Sequence, residues 1–332
     1  MPDVARNHHF IPEFLLANFT PSGTRDSFLW VTDRQQRKGY LANPRNAGFQ
    51  KDLYRFDVEG TPPDIVERML GRFEAHVAPA VKHLLQRHCL PARPEFDALM
   101  ELIGLLAIRV PSARKKVDLA IDKSLKRMCR QIFKSPEALR ALCQSTREEG
   151  VQGIDDDNTD YEEFWRFVQD ESQYTLSLEK EWVLFWILQT SEQAQMLLFH
   201  RNWTVLVAQD DAGHFICSDA PVCLTRTDLR RDRQAPRLDY HETDLTVPLG
   251  NRVALLGRYE ARQDSMVVCD RKRVAHINAR TIGSGERFLY SSNKDFPWER
   301  DDGSTGNWDS LIADLRDVHK GATNTGAAED GE

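Results

Sequence analysis

Short apolar runs separated by turn residues fill the first sixty positions of the chain. The run IPEFLLANF at 11–19 has its apolar residues at helical spacing, which predicts a short helix. SFLWVTD at 27–33 and LYRFDV at 53–58 combine β-branched and aromatic residues between turn formers, which predicts two small strands. The chain therefore begins with a mixture of helix and strand.

Between residues 61 and 200 the apolar positions recur with a helical period. TPPD at 61–64 supplies prolines and Asp64 as an N-cap, and the helix around 102–108 is apolar on nearly every side, as a central core helix would be. The predicted helices run from Asp64 to about 88, from Pro94 to the break at Pro111, onward to about 133, from Ser135, and at about 160–170 and 175–199. GVQGIDDDNTD, at 150–160, is predicted to be a loop.

Beyond His200 the pattern changes to short strand-like runs. WTVLVA at 203–208 and HFIC at 214–217, on either side of a QDDAG turn, predict a β-hairpin. LTVPL, RVALLG and MVVC are predicted to complete a mainly antiparallel sheet. A helix at about 273–283, a strand at 287–292 and a last helix near WDSLIADLRDVH follow.

These elements predict an α+β fold with an N-terminal helix and small strands, a central helical bundle and a C-terminal, mainly antiparallel sheet. We expect one intimate domain over residues 1–319. Its parts are an N-terminal segment (1–60), a helical part (61–200) and a sheet part (201–319). The tail at 320–332 has little to bury, so we expect it to be disordered.

Composition places the chain among folded globular proteins. Of its 332 residues 41% are hydrophobic and 29% are charged, which is enough for a proper core. The longest apolar stretch, LIGLLAI at 102–108, is too short to cross a bilayer, and MPDVARNHHF lacks the features of a secretory signal. Six widely spaced cysteines favour reduced thiols over a disulfide frame. We therefore expect a cytoplasmic protein with no membrane span.

The net charge of −7 argues against an extensive basic surface for binding nucleic acid, although it is compatible with one local basic cleft. Arginine and lysine are frequent between residues 109 and 134. Two interpretations stay open for this segment. It contacts nucleic acid or another phosphorylated ligand, or it is a solvated helix face that balances acidic segments.

The sequence contains no glycine-rich phosphate loop, no HExxH zinc motif and no GxSxG nucleophile turn. A site must therefore be assembled from distant segments. His8 and His9 point to opposite faces of an extended chain, so we expect at most one of them to face a site. A histidine suits proton transfer near neutral pH or ligation of a divalent metal, whose identity the sequence does not predict. The alternative is a histidine that caps a backbone carbonyl beside an exposed one.

Arg109 follows the most apolar predicted helix, and a buried arginine needs a carboxylate or a ligand phosphate as its partner. Glu74 lies at the edge of the apolar stripe of the preceding helix and is the candidate carboxylate. A structural Arg109–Glu74 pair and a ligand-binding role are both open. Arg114, beyond the break at Pro111, could extend the same basic spot.

Ser218 and Asp219 end an apolar strand just before Pro221, where a sheet meets a loop and sites are common. An Asp-x-Pro turn, in which the aspartate binds nearby backbone amides, explains the same residues. Lys51, at a turn into a strand, could contact an anion or be an ordinary surface lysine. Asn278, on an amphipathic helix, could bind substrate or be a packing residue with one hydrogen bond.

The order of these residues along the chain forms a pattern. The set consists of His8, His9, Pro12, Leu16, Phe19, Asn46 to Tyr54, Glu74, Arg109, Arg114, Trp203, Phe215 to Pro221, Pro248, Asn278 and Tyr290. It resembles domain-of-unknown-function family 4238 over residues 7–292. The most specific parts are the opening His-His-x-x-Pro-x-x-x-Leu and the Ser-Asp-x-Pro strand end, in which Ala220 stands where many relatives have asparagine. The resemblance groups these residues and implies no reaction.

Two functional hypotheses follow. In the first, the chain is a hydrolase of phosphoesters, with nucleic acid among its candidate substrates. Acid-base or metal-binding groups would be His8, His9, Glu74 and Asp219, and substrate would be bound by Lys51, Arg109, Arg114, Ser218 and Asn278. In the second, the chain is a non-catalytic binding or scaffold module whose polar residues are structural. Ionisable residues from four separate segments favour the enzyme.

Overall fold

The computed structural model describes residues 6–55, 60–149, 160–178, 180–227, 236–260 and 265–315. By backbone proximity they form two compact units. The first combines the described residues up to Ser112 with those from Leu184 onward, and the second spans Ala113–Val183. The single domain expected for residues 1–319 stays a prediction. Residues 150–159 of the loop predicted at 150–160, and the predicted tail at 320–332, lie outside the described residues.

Most helices and strands occupy separate stretches of the chain, with α2 to α7 in one block, which confirms the α+β class. The helices are α1 (Glu13–Ala17), α2 (Ile65–Arg87), α3 (Glu95–Ile108), α4 (Pro111–Ile132), α5 (Pro136–Glu148), α6 (Tyr161–Gln169), α7 (Lys180–Phe199) and α8 (Arg271–Ser284), with a 3-10 turn at Pro44–Asn46 and further helical residues at 308–315. The strands are β1 (Asn7–His9), β2 (Leu29–Asp33), β3 (Lys38–Ala42), β4 (Phe49–Lys51), β5 (Asn202–Ala208), β6 (Cys217–Ser218), β7 (Cys223–Arg226), β8 (Thr243–Pro248), β9 (Val253–Arg258), β10 (Met266–Cys269), β11 (Phe288–Ser291), β12 (Trp298–Glu299) and β13 (Thr305–Gly306). In the described parts of the chain, no helix has the length and apolar character needed to cross a membrane.

The long helices α2 and α3 form where the apolar period predicts them. Most of α3 is buried, as expected for a central helix. The predicted N-cap of α2 is wrong in detail, since the Asp64 side chain accepts no capping hydrogen bond. Its carboxylate lies instead 3.2 Å from Arg68, one turn further on, because this helical spacing brings two opposite charges together.

The second unit has its own small apolar cluster, in which Leu139 and Cys143 of α5 pack on Tyr161 of α6. The Ser135 side chain accepts a hydrogen bond from the Ala138 amide, so α5 begins with the predicted cap. Helix α7 begins at Lys180 rather than at 175, because the carboxylate of Asp122 binds the Leu176 amide and holds that stretch out of helical conformation.

The larger of the two main sheets has the strand order β10-β5-β9-β8-β7. Its β10–β5 pair is parallel and its other pairs are antiparallel, which confirms a mainly antiparallel sheet. The smaller sheet has the order β3-β2-β11-β6 and is antiparallel throughout. It joins strands from the beginning of the chain to a strand from near its end.

The predicted hairpin between 203–208 and 214–217 is wrong. Strand β5 pairs with β9 and β10, whereas β6 belongs to the smaller sheet. The backbone after the turn finds other partners, because the Phe215 amide donates to the Asn251 carbonyl and the Ile216 amide donates to the Asn278 side chain.

The strand predicted at 53–58 is also wrong in its described part, since Leu53 and Tyr54 lie in a turn, and residues 56–58 lie outside the described part of the chain. The strand in this region is β4, which ends before Asp52 because that residue has a left-handed backbone with φ 53°. Strand β4 pairs antiparallel with β1, so His9 lies opposite Phe49. Position 48, just before Phe49, requires a glycine. Its backbone φ is 64°, and a Cβ there would lie 2.8 Å from the Leu16 side chain.

Candidate acid-base site

One face of α2 lines a cavity of about 340 Å³. Its small residues are Gly71, Ala75 and Ala78, and Glu67 and Glu74 lie on the same face. These positions share one side of the helix because each lies three or four residues from another of them. Apart from the neighbouring residues and backbone of α2 itself, no heavy atom lies within 4 Å of the place where a Cβ of Gly71 would stand. The cavity is therefore open at this position.

The N-terminal segment forms the facing wall of this cavity, which we call the acidic cavity. His9 lines it from the end of β1, Glu13 and Phe14 line it from α1, and Arg25 lines it from the loop after α1. The guanidinium of Arg25 lies 3.9 Å from the Glu13 carboxylate. Three carboxyl groups, one imidazole and one guanidinium therefore line a single space.

His9 contributes a buried ring nitrogen to this site. Its Nε2 atom is buried and has no hydrogen-bond partner among the residues that the structure describes. Burial lowers the pKa of His9 below its ordinary value, assisted by the positive charge of Arg109 and opposed by Glu13 and nearby backbone carbonyls. The neutral imidazole is therefore favoured, and a neutral imidazole is a proton acceptor.

The pKa values of Glu67 and Glu74 are shifted upward, in the opposite direction to the pKa of His9. Burial raises the pKa of each carboxyl group, and for Glu67 the negative charge of Glu74 raises it further. The Oε2 atom of Glu67 is buried and accepts no hydrogen bond from the described part of the chain. Both carboxyl groups therefore keep their proton to a higher pH than an exposed glutamate does.

Arg109 links the two walls from behind the cavity. Its Nη2 atom donates to Glu74 Oε1 at 3.2 Å and to the carbonyl oxygen of His9 at 2.5 Å. The guanidinium carbon lies 6.0 Å from the centre of the Tyr54 ring, and the Tyr54 hydroxyl donates to the Arg109 carbonyl. The ion pair suggested by the sequence is thus present. Arg109 holds both the His9 backbone and the Glu74 carboxylate in place.

His8 points away from the acidic cavity and is buried. Its Nδ1 atom accepts a hydrogen bond of 2.7 Å from the Tyr54 amide, and its ring stacks on the Tyr54 ring. In this arrangement Nδ1 is unprotonated, so the neutral ring carries its hydrogen on Nε2. Of the two histidines only His9 lines the acidic cavity, and a catalytic role of His8 stays a prediction.

Asp219 and Ser218 do not line the acidic cavity. The Asp219 carboxylate accepts three backbone hydrogen bonds of 2.8 to 2.9 Å from the amides of Glu286, Arg287 and Phe288. The Ser218 hydroxyl accepts from the Ala220 amide. These contacts hold the end of β6 against the start of β11. The functional roles suggested for both residues stay predictions.

The remaining sequence candidates also lie apart from the lining of this cavity. The Asn278 side chain accepts from the Ile216 amide and donates to the carbonyls of His214 and Pro297. Lys51 is exposed at the end of β4. Arg114 belongs to the second unit, where it lies 4.0 Å from Asp118. Substrate binding by Asn278, Lys51 and Arg114 stays a prediction.

Among the residues that the structure describes, no group of three or more histidine, cysteine, aspartate or glutamate side chains is arranged to hold a metal ion. The chemistry that the acidic cavity supports with its own residues is proton transfer. A neutral imidazole accepts a proton, a protonated carboxyl group donates one, and Arg25 supplies positive charge at the wall.

Sequence reasoning missed Glu13, Arg25 and Glu67. A signal for one wall was present, because Gly71, Ala75 and Ala78 recur at helical spacing and leave a face of α2 with little side-chain volume. Glutamates at positions 67 and 74 on that face mark it as polar. Glu13 and Arg25 carry no comparable local signal, since only the tertiary fold brings them to α2.

Comparison with known proteins identifies the family. A family model described as "Protein of unknown function (DUF4238)" matches residues 7–295. The chain therefore belongs to this family, which confirms the resemblance found in the sequence. No curated protein and no solved structure matches the chain.

Proposed function

We propose that the chain is a hydrolase of phosphoesters that works by acid-base catalysis in the acidic cavity. The observation that carries this proposal is the buried Nε2 atom of His9, which has no hydrogen-bond partner within the described ranges and lines the same cavity as two carboxyl groups with raised pKa values. Opposite shifts of an imidazole and a carboxyl pKa are a common arrangement for an acid and a base in one site.

In the proposed reaction His9 Nε2 takes a proton from water as its oxygen attacks phosphorus. The bond from phosphorus to the leaving oxygen breaks, and the Glu67 carboxyl group donates a proton to that oxygen. The products are an alcohol and a phosphate with one fewer ester. His9 and Glu67 then exchange protons with solvent to regain their starting forms.

The two arginines have different parts. Arg25 lines the cavity with an exposed guanidinium and would hold the phosphate oxygens of the substrate. Arg109 is buried behind Glu74, so we assign it a positioning role. It fixes the Glu74 carboxylate and the backbone of His9 relative to one another.

All six cysteines are free thiols, which supports the proposal that the protein works in the reducing cytoplasm. The second candidate function is a non-catalytic binding module. It is favoured by the way His8, Asp219 and Asn278 all bind backbone groups, as purely structural residues would.

The test is hydrolysis of bis(p-nitrophenyl) phosphate by the full chain, measured with a chelator and with added magnesium or manganese. We expect His9→Ala and Glu67→Gln each to lower kcat by about 100-fold, since general acid-base groups contribute on this scale. His200→Ala is the matched control because His200 is exposed on the surface. Equal rates in the wild type and both site variants, or no hydrolysis above buffer, would contradict the proposal and favour the binding module.

A further inference from the structure

A second cavity, of about 140 Å³, lies beside the acidic cavity and is lined mainly by aromatic rings. We call it the aromatic pocket. It is lined by Phe10, Val31, Tyr40, Asn46, Ala47, Gly48, Phe49, Phe288 and Tyr290. Tyr290 and Phe10 are buried, whereas Tyr40 is 40% exposed, so the pocket is open to solvent on its Tyr40 side. Its volume is below that of sites for drug-sized ligands and suits a single small ring system.

A contact between two rings joins the aromatic pocket to the acidic cavity. His9 lines the acidic cavity and Phe49 lines the aromatic pocket. Their ring centres are 5.8 Å apart in an edge-to-face arrangement, and the two residues are direct partners in the β1–β4 pair. A group held in the aromatic pocket would therefore lie next to the proposed general base.

The polarity of the aromatic pocket favours a flat, uncharged ligand. All of its lining side chains are neutral. A neighbouring charge is already matched, because Arg287, whose guanidinium lies over the Phe288 ring, pairs with Asp33 at 2.8 Å. An ammonium ligand would therefore meet the neighbouring positive charge of Arg287 rather than an unpaired carboxylate.

The pocket also offers a polar group at its rim. Asn46 is exposed there, and its side-chain amide makes no hydrogen bond among the described residues. An amide both donates and accepts, which matches the edge of a nucleobase. Aromatic faces combined with one amide are the usual means by which proteins bind an unpaired base.

We propose that the aromatic pocket binds the nucleobase of a phosphoester substrate, so that the proposed hydrolase acts on nucleotide phosphoesters. This inference rests on the proposed function for the phosphoester part alone. The base would stack between the rings of the pocket while the sugar-phosphate passes the Phe49 ring and reaches His9. Tyr40 is then a specificity-determining residue, because it is the exposed wall of the base site.

The test is calorimetric titration of the full chain with uridine, which has a base and no phosphate, and with ribose, which has neither. We expect uridine to bind and ribose not to bind. Tyr40→Ala should weaken uridine binding about tenfold, in line with the loss of one stacking ring, whereas Tyr40→Phe should keep the affinity. Leu41→Ala is the matched control, since Leu41 is the exposed neighbour in β3 and does not line the pocket.

Failure of this inference and failure of the proposed function give different results. If uridine does not bind, or binds equally well to Tyr40→Ala, the base site is overturned even when phosphodiesters are cleaved. If uridine binds as expected but His9→Ala hydrolyses phosphoesters at the wild-type rate, the base site stands and the catalytic proposal falls.

Discussion

Arg109 and Glu74 form an ion pair with an N–O distance of 3.2 Å, in which the arginine side chain is only 2% exposed and the glutamate side chain is 23% exposed. The pKa of Glu74 is nevertheless raised, since its burial outweighs the attraction of the guanidinium. The pair is therefore not a simple source of stability. Arg109 lowers the pKa of Glu74 and only partly offsets the effect of burial, which raises it.

The first prediction concerns this pair. Arg109→Met leaves Glu74 without its partner and removes the donor to the His9 carbonyl, so we expect a loss of about 3 kcal/mol in the free energy of unfolding. The double variant Arg109→Met/Glu74→Met removes both charges and should recover most of that loss, because a buried ion pair can often be replaced by apolar side chains. Urea denaturation measures both. Additive losses in the double variant would contradict the coupling.

The second prediction is that Glu67→Gln stabilises the protein at neutral pH, by about 1 kcal/mol, while lowering hydrolysis. Glu67 is half-buried, and its buried Oε2 atom has no hydrogen-bond partner in the described residues; functional residues in such surroundings often reduce stability. Because the folded-state pKa is raised above its ordinary value of 4.5, the wild type loses stability as the pH rises from below 4.5 through the raised value.

The variant lacks this titration, so its advantage should grow between pH 4 and pH 7. Thermal melts across this range measure the difference from wild type. Glu260→Gln is the control, because Glu260 is exposed two residues beyond the end of β9. A melting temperature that falls in Glu67→Gln at every pH would assign Glu67 a structural role.

The third prediction concerns the pH dependence of hydrolysis. The active form needs a neutral His9 and a protonated carboxyl group, and burial moves their pKa values toward one another from 6.5 and 4.5. Activity should therefore fall at low pH as His9 gains a proton and at higher pH as the carboxyl group loses one. We expect a bell-shaped profile of kcat/KM with a mildly acidic maximum. A rate that climbs steadily from pH 6 to pH 9 would exclude these roles.

The helical part of the fold is predictable from sequence because the information is local. Helix α3 is apolar on nearly every side, and prolines at 94 and 111 mark its limits. Strand partners are not local in the same way. β5 and β6 have similar strand-like composition, yet β6 pairs with β11 because backbone groups near Phe215 are satisfied by Asn251 and Asn278. The alternation of apolar and polar residues along a strand does not specify which other strand it pairs with.

In the candidate site, too, features with a local sequence signal are predictable and features created by distant contacts are not. The Arg109–Glu74 pair is predictable because a buried charge needs an opposite charge and few carboxylates lie on the apolar stripe of the neighbouring helix. Arg25 is not predictable, since an arginine in a loop has no periodic pattern to place it. The surroundings of Asp219 are also non-local, because its three amide donors come from residues 286–288.

The fourth prediction follows from those three hydrogen bonds. Asp219→Ala should lower the free energy of unfolding by about 3 kcal/mol, because it leaves three amides near the start of β11 without their acceptor. Asp219→Asn keeps one oxygen and should lose less, with hydrolysis by the folded variant close to wild type. Asp211→Ala, at an exposed turn residue, is the control. A large loss of kcat in Asp219→Asn with unchanged urea denaturation would instead make Asp219 a catalytic residue.

The fifth prediction concerns substitutions of Gly71, which lines the open part of the acidic cavity. Gly71 lies within α2, and the place of its missing Cβ has no heavy atom of the surrounding structure within 4 Å. Gly71→Ala should therefore stabilise the protein by roughly 1 kcal/mol through helix propensity and leave hydrolysis intact. Gly71→Met gains similarly in helix propensity but extends its side chain into the cavity between Glu67 and Glu74, so we expect it to fold normally and to lose hydrolysis.

This pair of substitutions is its own control, because both remove the same glycine from the same helix and differ in the volume that they place in the cavity. Thermal melts establish that each variant is folded, and hydrolysis of bis(p-nitrophenyl) phosphate reports the site. Uridine titration adds a second readout, since the aromatic pocket does not include α2 and its affinity for the base should persist in Gly71→Met. Full hydrolysis by a folded Gly71→Met protein would show that the reaction takes place elsewhere in the molecule.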